Sequence, residues 1–286
     1  MKKLISGKVR EVYEISEREL VIVTTDRISA FDVILPSVIC GKGKALNLIS
    51  LYWFDYTRDI VPNHILSGRL SDMPSFFSRD PAQYENRTVL VKKLRMLPYE
   101  FIVRGYLFGS LWKEYQASDT FYGQKPDKAY RLAERLSAPV VTPSVKNSLG
   151  HDEPISLERL KKELGAEETD RICEICLKLY QTCFEQALRR GIIIADTKFE
   201  FGYDRNGILT LGDEIFTPDS SRFWAMEDYQ TGISPRSYDK QPVRDWLTAR
   251  GLAGITPAPK LPDEIRRAAA ETYQECCRRI TGSSVL

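Results

Sequence analysis

The chain has 286 residues, is 43% hydrophobic and carries 41 Lys and Arg against 39 Asp and Glu, a formal net charge of +2. That length supports a large core in one or two domains. Balanced charge without a block of one sign weighs against a general nucleic-acid binder, and no apolar run reaches the length of a bilayer span.

The opening MKKLISGKVREVYE has lysines but no apolar signal core, so no secretory peptide is expected. Residues 7–14 (GKVREVYE) and 19–24 (ELVIVT) alternate as two strands joined by a short turn. A helix is expected over 44–58, loops and short pieces over 61–87, and a strand over 88–94. Residues 98–106 are ambiguous, and 107–116 look helical. The stretch 117–155, with four prolines, reads as a long loop region. Helices at about 156–164 and 169–190, strands at about 192–203 and 208–216, and helices near 240–250 and 262–280 follow. A β-rich beginning and a helix-plus-hairpin remainder predict an α+β fold of two lobes, residues 1–95 and 96–286.

Cys173, Cys176 and Cys183 fall at helical spacing with Leu179, Tyr180 and Ala187, the pattern of one apolar helix face. Cys173 and Cys176 also have CxxC spacing, but no second CxxC completes a zinc site. Six cysteines in a chain this size are no disulfide scaffold, so a reducing cytoplasm is expected. His64 and His151 are the two histidines, too few for a multi-histidine metal site. Catalysis would then rest on carboxylates, Lys and Arg.

The run GIIIADTKFEFG (191–202) carries that chemistry. Gly191 sits where a helix C-cap belongs, and the strand after it puts Asp196, Lys198 and Glu200 on one face. Asn206-Gly207 predicts a two-residue type I′ turn, pairing Arg205 with Ile208 and placing Glu200 directly across from Asp213. Like charges so placed destabilise a hairpin, whereas a hard divalent cation between them reverses that cost. The face reads as a metal and phosphate station, with Lys198 set to meet a second anion. The alternative is a solvated hairpin with a Lys198 salt bridge.

Other stretches offer anion sites. SGKVREVYE places Lys8 and Arg10 on one face after a flexible Gly7, though GxxxxGK[ST] is absent. VRGYLFGSLWKEY puts Arg104 and Ser110 around two glycines before a helix, a set suited to a phosphate monoester. TPDSSRFW supplies Ser220, Ser221 and Arg222. SYDKQPVRDWL brings Lys240 and Arg244 to the first turns of a helix, and SVKNSLGHDEPIS carries Lys146, His151 and Asp152. Each stretch also reads as a capped helix or a polar turn.

Taken with TTDRISAFDV, GHDEPIS and GDEIFTPDSSRFW, this series, in order over residues 6–247, resembles the phosphoribosylaminoimidazole-succinocarboxamide synthase (SAICAR synthetase) family. The resemblance implies a two-lobed α+β fold with a β-rich nucleotide lobe, related to ATP-grasp and kinase-like nucleotide sites. It implies ATP-dependent ligation of L-aspartate to carboxyaminoimidazole ribonucleotide (CAIR), through an acyl phosphate, in purine biosynthesis. ATP and Mg2+ are the implied cofactors; CAIR, L-aspartate and ATP are the implied small-molecule partners, with no nucleic acid and no membrane.

By the same resemblance, Glu200 and Asp213 match magnesium ligands. Asp196 and Lys198 match positions beside the imidazole nucleotide, with Lys198 meeting its reactive carboxylate. Arg104, Ser110 and Arg222 match a ribose-phosphate cradle, near Ser220 and Ser221, while Lys8 and Arg10 match the nucleotide phosphate loop. Lys93, Arg95 and Met96 lie in the linker against which adenine rests, and Glu100 would orient ribose or a neighbour. An aspartate pocket is expected among Asp26, Arg27, Ser29, Lys240 and Arg244. Glu11 stands where Asp is common, and Pro242 replaces a larger residue, which bears on Arg244. The rivals are a small-molecule kinase, which lacks a clear HRD-like loop or DFG here, a nucleotide-sensing module without chemistry, and an RNA-binding protein.

Overall fold

The computed structural model describes residues 1–31, 33–147 and 152–284. The alternating runs near the N-terminus form antiparallel strands: β1 (Lys2–Ser6), β2 (Arg10–Glu14) and β3 (Glu19–Thr24). A hairpin of β4 (Arg27–Ala30) and β5 (Val33–Val38) leads to helix α1 (Lys42–Tyr56). Gly41, at φ 77°, makes the entry turn. Asp26 Oδ1 accepts the Gly43 N–H at 2.8 Å and so satisfies one orphan donor of the helix start. Strand β6 (Ile65–Ser67), the short helices α2 (Ser75–Ser78) and α3 (Pro81–Tyr84), and β7 (Thr88–Lys92) follow. The first sheet has the order β1-β2-β3-β7-β6 and a small core of its own, including Tyr13, Val21, Phe77 and Tyr84.

The rest of the chain builds a larger layer. Its elements are β8 (Arg95–Met96), β9 (Tyr99–Tyr106), α4 (Gly109–Ser118), β10 (Arg135–Val145), β11 (Glu153–Pro154), α5 (Leu157–Leu164), α6 (Ala166–Leu188), β12 (Ile192–Tyr203), β13 (Leu209–Gly212), β14 (Ser221–Ala225), α7 (Gln241–Ala249) and α8 (Asp263–Thr281). The strands join in a seven-stranded sheet, β11-β10-β9-β12-β13, with β14 and β8 also paired to β12. The main core gathers Trp53 of α1, Phe101 and Val103 of β9, Leu179 of α6, Ile194 and Phe199 of β12 and Tyr273 of α8. Helices on a mixed set of antiparallel strands make this an α+β fold. None of the helices among the described residues is long and apolar enough to cross a membrane.

Cys176 and Cys183 are buried on the inner face of α6 with Ile172 and Leu179, as helical spacing predicts, and Cys173 is half-buried beside them. Burial pushes the Cys173 thiol up to about 11, so it is held as an unreactive thiol.

Two expectations are corrected, and one stretch left open is resolved. The stretch 117–155 contains an eleven-residue strand, β10, rather than loop alone. Its prolines are tolerated because β10 is flanked by β9 along its length but by β11 only at Ser144 and Val145, and its ladder is irregular between Arg135 and Val140. Residues 99–106, ambiguous by period, form β9, which is buried on both faces and so has no polar alternation to read. The turn after β12 is longer than two residues: Tyr203 pairs with Leu209, and Glu200 faces Gly212, not Asp213. Asp204 is the cause. Its Oδ1 accepts N–H bonds from Asn206 at 2.8 Å and Ile208 at 2.9 Å, an Asx-type turn that outcompetes the Asn-Gly hairpin.

β9 and β12 approach α6 closely at Gly105. A Cβ there would lie 1.9 Å from the Tyr180 hydroxyl, which donates to the Ile194 carbonyl at 2.6 Å and cannot swing away without losing that bond. Gly105→Ala is therefore expected to destabilise the protein by about 3 kcal/mol, an overpacking cost measurable by chemical denaturation. Stability equal to wild type would show that α6 yields at Tyr180.

Candidate active site

Register across β9, β12 and β14 assembles one polar face. Asp196 pairs with Arg104 of β9 on one side and with Arg222 of β14 on the other; Lys198 pairs with Ile102. Alternation then sets Asp196, Lys198 and Glu200 beside Arg104 and Glu100. The apolar run before them, Ile192 to Ala195, is buried and anchors the strand. Reactive side chains therefore project from a rigid central strand rather than from a loop.

One end of this face is cationic. Arg104 is almost wholly buried; its Nε donates to Thr142 Oγ1 at 2.8 Å and its Nη2 to Ser110 Oγ at 3.0 Å. Asp196 Oδ2 lies 3.8 Å from Arg104 Nη1 and accepts a short hydrogen bond from Arg222 Nη1. The Asp196 carboxylate raises the Arg222 guanidinium further above its ordinary value despite burial, whereas burial lowers the Arg104 guanidinium against the opposing pull of Asp196. Two guanidiniums share one carboxylate, which leaves a net positive charge beside Ser110. Gly109, at φ +60°, lets the chain pass Arg222: a Cβ there would come 2.7 Å from Nη2. The Ser220 hydroxyl serves the turn, accepting the Thr217 N–H, and the Ser221 hydroxyl bonds Thr197 across the β12–β14 pair.

The other end is acidic and bridged by cations. Lys198 Nζ donates to Glu100 Oε1 at 2.5 Å and to Glu200 Oε1 at 3.3 Å, and Lys146 reaches Glu200 Oε2. Asp213 stands just past β13 with φ +60°, and Arg10 of the first sheet grips it with two bonds, at 2.5 and 3.0 Å. Burial alone would lower the Lys198 ammonium, but Glu200, Asp213 and Glu100 outweigh it and hold its pKa well above the ordinary value. Burial also pushes the Asp213 carboxyl up; Arg10 and Lys198 overcome it and keep the group ionised. Glu100 is raised, chiefly by burial. Asp213 thus reaches the cluster through its left-handed backbone, not through strand pairing with Glu200. Magnesium commonly uses one or two carboxylates, with phosphates and water completing its shell, and Glu200 with Asp213 fits that donor set. Among the described residues, no three acidic, His or Cys groups cluster as a metal site on their own.

The linker follows β7. Lys93 pairs with Glu14, Arg95 lies over the Tyr203 ring at 4.8 Å, and Met96 is partly exposed against Gly212. Lys8 is exposed on the loop between β1 and β2. Asp26 binds the start of α1 and Arg87, Arg27 turns to the Gly7–Arg10 loop, and Ser29 pairs with Ile34 in the hairpin. Asp152 accepts the Asn147 N–H at 3.1 Å, and His151 lies outside the described residues.

The sequence reading named Lys240 but missed the buried partners it joins, Lys42, Asp219 and Tyr273. Lys42 Nζ meets Asp219 Oδ2 at 2.7 Å, the Tyr273 hydroxyl donates to Asp219 Oδ1 at 2.9 Å, and Lys240 lies 3.5 Å from the same carboxylate. Arg244 pairs with Asp239 at 2.9 Å. Lys42 and Asp219 lie far apart in sequence, and no local period signals their meeting. A fully buried lysine is the one hint, and it shows only once the fold is formed.

Comparison with solved structures gives the class. SAICAR-synthase from Saccharomyces cerevisiae, complexed with SAICAR, matches with a TM-score of 0.91 and 40% identity, covering 99% of this chain and 95% of that one. A type-2 SAICAR synthetase in complex with ADP matches with a TM-score of 0.72 and 26% identity, covering 98% of each chain. The fold is that of the SAICAR synthases, which are ligases.

The sequence profile of SAICAR synthetase matches residues 3–259. The phosphoribosylaminoimidazole-succinocarboxamide synthase of Chromobacterium violaceum is 46% identical, covering 99% of both chains, and that of Maridesulfovibrio salexigens is 47% identical over 100% of this chain and 95% of its own. The chain belongs to the SAICAR synthetase family, enzymes of purine biosynthesis.

Proposed function

We propose that this enzyme ligates L-aspartate to CAIR at the cost of ATP, and that residues 1–95 supply the nucleotide lobe and 96–286 the substrate and metal lobe. The observation that carries the reading is one sheet face on which a cationic cradle, Arg104, Ser110 and Arg222, adjoins the Glu100–Lys198–Glu200 cluster and Asp213. Of the two similar structures, one is complexed with SAICAR and the other with ADP, which supports a nucleotide and this product as ligands of the enzyme.

A carboxylate is a poor electrophile, so the CAIR carboxylate must first be activated. Its oxygen takes the terminal phosphoryl group of ATP and ADP leaves; the aspartate amine then forms the new C–N bond as the C–O bond to phosphate breaks, and the amine proton passes to the departing phosphate. Phosphoryl transfer depends mainly on alignment and charge neutralisation. Magnesium, held by Glu200 and Asp213, would neutralise the phosphates. Lys198 is too firmly protonated to act as a base; its ammonium orients the reacting carboxylate and offsets its charge. Arg104, Ser110 and Arg222 hold the ribose phosphate, with Asp196 fixing both guanidiniums. Glu100 sets the Lys198 ammonium and, with Lys93, Arg95 and Met96, borders the nucleotide. Lys240 and Arg244 meet the aspartate carboxylates. The site of action is the cytoplasm.

The test is ADP release from ATP, magnesium and CAIR, with and without L-aspartate, with product followed by mass. Succinocarboxamide that requires L-aspartate is the expected result. ADP release indifferent to L-aspartate would point to a small-molecule kinase instead.

A further inference from the structure

The loop from Gly7 to Arg10 has its carbonyl side tied down by one short segment. Arg27 Nη2 donates to the Gly7 carbonyl at 3.0 Å and to the Arg10 carbonyl at 3.4 Å, and its Nε donates to the Lys8 carbonyl at 3.4 Å. The Val9 carbonyl is taken by Thr25, through its N–H at 2.9 Å and its hydroxyl at 2.7 Å. Three successive carbonyl oxygens, Gly7, Lys8 and Val9, thus rest on residues 25–27, and the Arg10 carbonyl, closed within the loop by the Gly7 N–H at 2.8 Å, takes Arg27 as its second donor.

The guanidinium is itself fixed. Its Nη1 donates to Glu11 Oε1 at 3.0 Å, while Glu11 Oε2 accepts from Lys3 at 2.9 Å and from the Tyr13 hydroxyl at 2.7 Å. Burial pushes the Glu11 carboxyl up, but the bonds from Tyr13, Lys3 and Arg27 outweigh it and hold it down to about 2. Glu11 is one methylene longer than Asp and spans all three donors.

We infer that Arg27 is a positioning residue for the nucleotide phosphates: it turns the carbonyl dipoles of the Gly7–Arg10 loop away from the anion. The inference rests on the reading of this loop as the phosphate loop, and it assigns Arg27 a duty other than the aspartate pocket. In a planar trans peptide the N–H points opposite the C=O, so anchoring the carbonyls on one side directs the positive ends of the peptide dipoles to the other. Only a forked, planar donor set reaches several carbonyls and a carboxylate at once; a lysine ammonium does not.

The experiment is ADP binding by calorimetry to wild type, Arg27→Lys, Arg27→Ala and Glu11→Gln, with KM for ATP and for L-aspartate measured alongside. Arg27→Ala is expected to weaken ADP about 30-fold and Arg27→Lys about tenfold, with KM for L-aspartate moving less than about twofold. Millimolar guanidinium should restore part of the ADP affinity of Arg27→Ala, whereas sodium chloride of equal ionic strength should not. A purely structural role would not show that rescue. If Arg27→Ala fails to fold, Glu11→Gln carries the test, with a loss of several-fold expected because the clasp loses its anchor. Unchanged ADP affinity in the variants, or a larger shift for L-aspartate than for nucleotide, overturns the inference while leaving the ligase reading intact. Wild type that binds no ADP overturns the phosphate-loop reading, and the inference with it.

Discussion

Glu200→Gln is expected to lower kcat by at least about 1,000-fold while the protein still folds. Glutamine keeps the volume of a side chain that is only 7% exposed, and its amide oxygen can still accept from Lys198 or Lys146. What it removes is the charge. On the proposed reading, a divalent cation would then lose one of its two protein carboxylates, and the transferring phosphoryl group would lose neutralisation at the moment it needs it. The opposing effect is on stability. Lys198 and Lys146 would each lose a charged partner, although Glu100 still holds Lys198 at 2.5 Å. That residual pairing limits the expected cost to about 1–3 kcal/mol, a fall of a few degrees in Tm. Turnover and Tm therefore separate the two roles. Normal turnover over a full magnesium titration would remove Glu200 from the metal site, and a collapsed Tm with proportionate activity loss would mark it as structural.

How far this site was legible in the sequence depends on how local each feature is. The sharing of one face by Asp196, Lys198 and Glu200 follows from strand alternation alone, and the structure keeps it. The partner of Glu200 does not follow, because register depends on the turn, and the Asp204 side chain rewires that turn by bonding to Asn206 and Ile208. Strand β9 was ambiguous because burial on both faces erases periodicity. Strand β10 was missed because prolines suggest loop wherever the neighbouring strands are unknown. Arg10 was read as a phosphate ligand, and in the structure it grips Asp213, a contact between two sheets that no pattern within either one encodes. The Lys42–Asp219–Tyr273 cluster is the extreme case: three elements brought together by core packing, whose polar ends are paired because an unpaired buried charge would be costly.

Arg222→Ala is expected to raise KM for CAIR about 100-fold, with kcat at saturating CAIR and KM for ATP far less affected. Arg104 and Arg222 flank the same Asp196, yet they are not equivalent. Arg104 has 5% of its side chain exposed and also binds Thr142 and Ser110, so its removal takes a buried donor from both and opens a cavity that threatens the fold, although Arg222 still holds Asp196. Arg222 has 32% exposed, and its guanidinium sits 5.7 Å from the Phe108 ring, on the side open to solvent from which the proposed ribose phosphate would enter. Its loss leaves Asp196 still facing Arg104, so folding should be largely preserved while the net positive charge of the cradle disappears. Gly109→Ala provides an independent check, since a methyl group 2.7 Å from Arg222 Nη2 must push the guanidinium aside without deleting it. If both variants raise KM for CAIR and spare KM for ATP, the position of the guanidinium, not its charge alone, makes the cradle. An unchanged KM for CAIR in Arg222→Ala would show that the phosphate is held elsewhere, and Arg222 would then serve to balance Asp196.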